Sequence, residues 1–397
     1  MDWKTIGVKI RRFWQWSGLL LLGLGLALAL LLPRSPQPQP VDGVAVSSAL
    51  GGDDHTGYQR AYRPRPFQFP IDHGPHPEFR NEWWYVTGNL ADAAGRAFGY
   101  QLTIFRIALS PTAPPADSPW RANQVYMGHF ALTDVAANRH HHFERLSRGA
   151  LELAGARATP FRVCLEDWAL AGAASDLFPL RIHAREDDLT LDLTLDAGKP
   201  VVPQGDQGLS QKSAEPGNAS YYYSYTRLPT QGTIGIAGQH FTVSGASWLD
   251  REWSTSALGP DQSGWDWFAL QLDDGRDLMF YRLRRKDGGM DSFSKGVLVE
   301  ADGQPRLLRW NEVRLQPLGE WVSPRTGDRY PSGWRLLAEN LDLTVTPKVA
   351  DQEMRLTVRY WEGAVAVSGR AGNRVVNGQG YLEMTRYVSR QTNRAMW

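Results

Sequence analysis

Apolar and polar residues alternate with a period of two through much of the chain after residue 66. Leu189, Leu191, Leu193 and Leu195 are interleaved with Thr190, Asp192, Thr194 and Asp196. Leu341, Leu343 and Val345 alternate with Asp342, Thr344 and Thr346, and Leu356, Val358 and Tyr360 with Arg355, Thr357 and Arg359. A two-residue period sends successive side chains to opposite faces, so each run predicts a strand with one face in a core. Phe268, Leu270 and Leu272 lead into Asp274-Gly275, a dipeptide suited to a tight hairpin, and Leu278 and Phe280 resume the pattern. No stretch here keeps a helical period for three turns. The prediction is an all-β protein of antiparallel strands, in barrels or sandwiches, since closure removes exposed edges.

The N-terminus follows a different pattern. Lys4, Lys9, Arg11 and Arg12 precede a run from Gly18 to Leu32 that holds only Gly, Ala and Leu. Counted from Phe13, flank and run reach 20 residues, about the length that crosses a bilayer core. Basic residues on the N-terminal side place that end in the cytoplasm. The expected layout is a basic N-terminus (1–15), a transmembrane anchor (16–32) and a Pro/Gly-rich linker (33–65) that includes Pro33, Pro36, Pro38 and Pro40. The bulk of the protein would then sit in the periplasm, tethered to the inner membrane. A cleaved signal peptide, releasing the protein to the periplasm, is the alternative.

The β region looks duplicated. Trp84-Tyr85, a turn at Gly95-Arg96, then Phe98 and Tyr100 resemble Trp267-Phe268, Gly275-Arg276, Leu278 and Phe280. Thr242-Val243-Ser244-Gly245 before Trp248-Leu249-Asp250 resembles Ala366-Val367-Ser368-Gly369 before Tyr381-Leu382-Glu383. Two related barrels are expected, 66–258 and 259–397, packed together because residues 261–264 are too short a connection for independent domains.

Composition removes several function classes. A net charge of +1 provides no basic stripe for nucleic acid. The single cysteine, Cys164, excludes an intramolecular disulfide, and its place among Phe161, Val163 and Leu165 makes it a strand residue. No phosphate loop, dinucleotide fingerprint or serine-nucleophile elbow is present. The aromatic load is heavy, with 16 Trp, 14 Tyr and 14 Phe.

Candidate chemistry concentrates in Ser247-Trp248-Leu249-Asp250-Arg251-Glu252-Trp253, where two carboxylates and an arginine lie between two indoles. An acid fenced by indoles sits in low dielectric, which favours its proton-donating form. Tyr221 to Tyr225 alternate faces, and two rings are expected to point inward, where they can line a pocket. His73, His76, Glu78 and Glu82 are of metal-binding type, but their spacing is irregular and no metal is expected. Glu82 is better placed to pair with Arg80 or Arg251. His140-His141-His142 reads as a solvated hairpin loop.

Asp72-His73-Gly74-Pro75-His76-Pro77-Glu78-Phe79-Arg80-Asn81-Glu82-Trp83-Trp84-Tyr85 resembles the opening motif of the lipocalin-like AttH/CrtC family. Tyr360-Trp361-Glu362-Gly363-Ala364-Val365 and the Trp248–Trp253 run also look like family signatures, and the resemblance extends from residue 66 to about residue 390. It implies a pair of tandem lipocalin-like antiparallel barrels. It also implies two functions, since the family holds carotenoid hydratases and AttH proteins linked with an ABC transport system. In the hydratases an aspartate in a Tyr-x-Asp-x-Asn-Trp motif protonates an alkene. Asp250 and Trp253 stand at the Asp and Trp places, while Trp248 and Glu252 replace the Tyr and Asn. The expected catalytic residues are therefore Asp250, Glu252 and Arg251. The expected ligand-binding residues are Trp248, Trp253, Tyr221, Tyr223, Trp83, Trp84 and Glu82. The leading expectation is a carrier for a long apolar ligand, accessory to an ABC permease. The alternative is a hydratase or hydrolase without cofactor, with Asp250 as proton donor.

Overall fold

The computed structural model describes residues 55–387, apart from 113, 114, 116, 117, 174, 175, 256, 257 and 386. The expected basic N-terminus, anchor and most of the linker lie outside the described residues. No helix among the described residues is long and apolar enough to cross a membrane.

The chain is all-β. Its described helices are two single 3-10 turns, Ile71–His73 and Trp310–Glu312. Among the described residues, one antiparallel sheet has 13 strands, running from Asn81–Asp92 to Gln239–Ser254. A second has 10 strands, from Gln262–Leu272 to Arg374–Thr385. Each curls around its own apolar core into a nearly closed barrel. The first core gathers Trp84, Val86, Leu102, Leu191 and Leu249; the second gathers Phe268, Leu270, Trp334, Leu343 and Leu382. The Leu189–Leu195 and Leu341–Pro347 runs form strands with every leucine and valine buried.

The duplication is topological. In each sheet the first strand of the opening hairpin also pairs with the last strand: Tyr85 lies opposite Asp250, and Trp267 opposite Glu383. The opening hairpins turn at Gly95 (φ +83°) and Gly275 (φ +88°), left-handed conformations that cost a side chain energy. One part of the sequence match does not survive. Val243 to Gly245 belong to the last strand of their sheet, whereas Val367 to Gly369 belong to the next-to-last.

Alternation creates the junction between barrels. Along Asn81–Asp92, Trp84, Val86 and Leu90 enter the first core, while Trp83 and Tyr85 turn toward the second sheet. The second sheet answers with Trp267, Ala269 and Tyr381, whose strand neighbours Phe268, Leu270 and Leu382 enter its own core. The barrels thus meet through outward faces that are themselves apolar. Asp277 fastens the junction from the second sheet, accepting from Thr226 (2.9 Å), Arg227 (2.6 Å) and Lys199 (3.0 Å).

Two local expectations change. Ala61 is buried, and Arg60 bonds Glu215 (2.8 Å), so the end of the expected linker is fastened to the first barrel. The three histidines lie in the strand Arg139–Arg148, not in a loop; Thr133 and His140 share a hydrogen bond of 2.8 Å. His140 and His142 share one face of that strand, with ring centroids 5.5 Å apart.

Candidate active site

A cavity of about 150 Å³ lies where the two barrels meet. Its walls come from both sheets: Trp83, Tyr85, Phe105 and Tyr222 on one side, Trp265, Trp267, Tyr281 and Tyr360 on the other. Four carboxyl groups interrupt this aromatic lining, Asp250 and Glu252 from the first sheet and Glu362 and Glu383 from the second. Such groups are costly to bury in apolar surroundings unless they are neutral or well paired.

Asp250 is held by three donors. Oδ1 accepts from Ser224 Oγ (2.5 Å) and Trp248 Nε1 (2.6 Å), and Oδ2 accepts from Tyr222 Oη (2.6 Å). Trp267 of the second sheet donates in turn to Tyr222 Oη (3.1 Å). Two donors occupy Oδ1, so the oxygen with room for a proton is Oδ2. Burial raises the acid to about 7, against the pull of its three donors. At neutral pH this side chain exchanges a proton readily.

Glu362 and Glu383 lie directly opposite each other on adjacent strands. Tyr85 Oη donates to Glu362 Oε1 (2.6 Å), and Trp265 Nε1 to Glu383 Oε1 (2.7 Å). Glu362 Oε2 has no hydrogen-bond partner among the described residues. Burial, then the charge of Glu383, pushes Glu362 well above the usual carboxyl range. Burial also raises Glu383 to about 7, with Glu252 and Asp250 adding to the effect. Like charges on facing buried positions disfavour ionising both at once, so their titrations belong to the pair.

Glu252 is different, because it has a cation. Lys212 Nζ stands 3.0 Å away, and Ser220 donates to the same carboxylate. Burial alone would lower the Lys212 pKa, but Glu252 and Tyr281 outweigh it and raise it. The ammonium also lies 4.3 Å from the centroid of the Tyr281 ring.

Strand alternation divides the residues expected from sequence. Asp250, Glu252 and Trp83 line the cavity, and Trp248 bonds Asp250 behind it. Arg251, Trp253, Glu82, Trp84, Tyr221 and Tyr223 do not line it. Arg251 donates to Glu82 and lies over the Trp84 ring at 4.0 Å, in a separate polar network. Arg106 also donates to Glu82, and His76 bridges Glu82 (3.2 Å) and Asp72 (3.1 Å) while stacking on Trp253. Burial alone would raise Glu82, but the two guanidiniums outweigh it and hold the carboxylate well below its usual range. Tyr223 bonds His73 (2.7 Å), and Tyr221 packs with Phe79 and Trp253. The middle ring of the tyrosine run, Tyr222, is the one that reaches the cavity.

The sequence reading missed Tyr222, Lys212, Glu362 and Glu383. Glu362 and Glu383 stood inside motifs already singled out, and the match of Trp248-Leu249-Asp250 to Tyr381-Leu382-Glu383 could have marked Glu383. His73, His76, Glu78 and Glu82 do not converge on a metal: His73 turns to Tyr223, and Glu78 is exposed. Among the described residues, no group of three or more His, Cys, Asp or Glu is arranged as a metal site.

A family profile described as AttH-like matches residues 60–387. The chain belongs to this family. A crystal structure of a protein assigned as AttH, from Nitrosomonas europaea, is 36% identical, with a TM-score of 0.74, covering 83% of this chain and 100% of that one. The AttH-like fold recurs in the crystal structure of kievitone hydratase from Nectria haematococca, at a TM-score of 0.63 and 16% identity over 84% of this chain and 97% of that one. Kievitone hydratase of Fusarium solani subsp. phaseoli is 25% identical over 222 residues, 53% of this chain. That match spans 61% of the relative's own length.

Proposed function

We propose that this AttH-like protein is a hydratase, adding water to a carbon–carbon double bond of an apolar substrate held in the cavity between its barrels. The observation that carries this reading is Asp250, a buried carboxyl near neutrality that lines the cavity. The similarity to kievitone hydratase supports the same reaction class. The carrier reading accounts less well for four carboxyl groups in one apolar cavity, since a site that only holds an apolar chain gains nothing from them.

The chemistry needs two proton transfers. The Oδ2–H bond of Asp250 breaks as its proton forms a C–H bond with one alkene carbon. The neighbouring carbon becomes cationic, and the faces of Trp83, Trp267 and Tyr281 favour positive charge there. Water then bonds to that carbon and gives its proton to Glu383, the carboxylate of the opposite wall, and a proton from water restores Asp250 before the next turnover. Glu252, held by Lys212 and Ser220, fixes negative charge beside the cation. Ser224, Trp248 and Tyr222 stabilise the Asp250 carboxylate that forms, so they make it a stronger acid than burial alone would allow.

Kievitone is the first substrate to try, followed by other apolar alkenes, in water labelled with heavy oxygen. Mass spectrometry should find one labelled water added per molecule. Asp250→Asn keeps the shape but carries no acidic proton, and turnover should fall by roughly 100- to 10,000-fold. Unchanged turnover in this variant would remove Asp250 from the reaction.

A further inference from the structure

Glu362 is buried, with 1% of its surface exposed, so a proton held there has no direct contact with bulk water. A line of polar side chains nevertheless leads away from it. Tyr360 and Glu362 stand two residues apart on one face of the strand Arg359–Ala371, and both line the cavity. Tyr360 Oη is 2.7 Å from His129 Nδ1, in the other barrel. His129 Nε2 is 3.2 Å from Glu144 Oε1, and Thr357 Oγ1 donates to Glu144 Oε2 at 2.5 Å. His129 is 1% exposed at its side chain, and Glu144 is 20% exposed. The line therefore starts at the cavity wall, crosses the junction and ends at the surface.

We propose that Tyr360, His129 and Glu144 form a proton relay between Glu362 and solvent. The role extends the hydratase reading, on which it rests, because the water step loads protons onto the Glu362–Glu383 pair and something must unload them. Donor and acceptor capacities agree with an outward direction. Burial would raise Glu144, but its bonds from His129 and Thr357 outweigh it and lower it, so it is an anionic acceptor. Nε2 of His129 then carries the hydrogen, which leaves Nδ1 to accept from the Tyr360 hydroxyl. The Tyr360 oxygen is left free to accept from a protonated Glu362. Phe105 closes the other side of the imidazole, edge-on at 5.4 Å. The groups facing Glu362 are Glu383, Tyr85 and Tyr360.

Each transfer balances. Glu362 gives its proton to the Tyr360 oxygen as the Tyr360 hydroxyl proton moves to His129 Nδ1. The Nε2 proton of His129 passes to Glu144, which releases it to water. Tyr360, His129 and Glu144 each gain one proton and lose one. Glu362 is left as a carboxylate, ready to take the next proton from Glu383.

The test needs no substrate, so the relay and the hydratase reading can fail separately. Full-length protein is moved rapidly into heavy-water buffer, and the carboxylic-acid carbonyl band of Glu362 is followed by infrared spectroscopy. The band is assigned by its loss in Glu362→Gln, and the Asp250 band, lost in Asp250→Asn, serves as internal reference. Tyr360→Phe and His129→Gln should each slow exchange at Glu362 on the order of a hundredfold, the lower end of what positioned proton donors and acceptors contribute. The Asp250 band should exchange at its usual rate in both. Exchange at the wild-type rate in either variant, or equal slowing of the Asp250 band, would overturn the relay. Glu144→Gln tests the same path at its partly exposed end, where the core is untouched. Slowed exchange is expected there too, and a wild-type rate would overturn the relay as drawn.

Discussion

At the scale of single residues, the most informative balance is at Asp250. Burial costs its charged form more than Ser224, Trp248 and Tyr222 return, and the carboxyl rises from 3.8 to about 7. That shift is also a statement about stability. Between those two values the folded protein holds a proton that the unfolded chain has already lost, so stability falls as pH rises. The contribution is fully present below the unfolded value and is lost by the time pH has passed about 7. Its size is on the order of 4 kcal/mol, since one pKa unit corresponds to about 1.4 kcal/mol. Asp250→Asn has no proton to lose. Its urea midpoint should therefore vary less between mildly acidic and mildly alkaline pH than that of the wild type. Parallel curves for the two proteins would mean that Asp250 is not the buried acid described here.

At the scale of strands, parity decides which residue belongs to which site. The run Trp248 to Trp253 reads in sequence as one acidic cluster, yet a strand sends its even and odd members to opposite faces. Asp250 and Glu252 reach the cavity, while Arg251 and Trp253 join Glu82, Arg106 and His76 on the other side. That division was legible, because the same alternation that identified the Leu189–Leu195 strand applies here. The partners of Asp250 were not legible: Ser224 and Tyr222 come from a neighbouring strand whose register shifts between Tyr225 and Leu228. Nor was the cavity, since Glu362 and Glu383 become its walls only when the second sheet docks.

Parity also predicts a difference in phenotype. Glu82→Gln leaves the guanidiniums of Arg106 and Arg251 without their shared countercharge in a buried site. Removing one partner of such a network costs about 3–5 kcal/mol. The urea midpoint should fall accordingly. A loss below about 1 kcal/mol, the range of an exposed ion pair, would show that the network is not the buried clamp its geometry indicates.

At the scale of the whole molecule, the site exists because two barrels each gave up a polar outer face. Alternating sequences normally leave that face to water. Here each barrel has its own apolar core, and the cavity lies between them. Tyr85, Tyr222 and Trp248 from the first sheet pack with Trp267, Met279 and Tyr381 from the second. Burying each large apolar side chain contributes roughly 1.5–3 kcal/mol, so neither barrel is expected to keep its full stability alone. Polar bonds then set the alignment: Gln271 Nε2 donates to Thr226 O (2.7 Å) and Asn89 Nδ2 to Gly380 O (3.0 Å). A chain ending at Gly259 would retain Asp250 and Glu252 but lose Glu362, Glu383 and the Trp267 bond to Tyr222. It should expose the aromatic face, bind hydrophobic dyes and self-associate in gel filtration. The Asp250 carboxyl should also return toward its ordinary range, because water replaces the opposite wall and removes the burial that raised it. A soluble monomer of this fragment, with the stability of the intact protein, would mean that the barrels are independent and that the cavity is not their shared product.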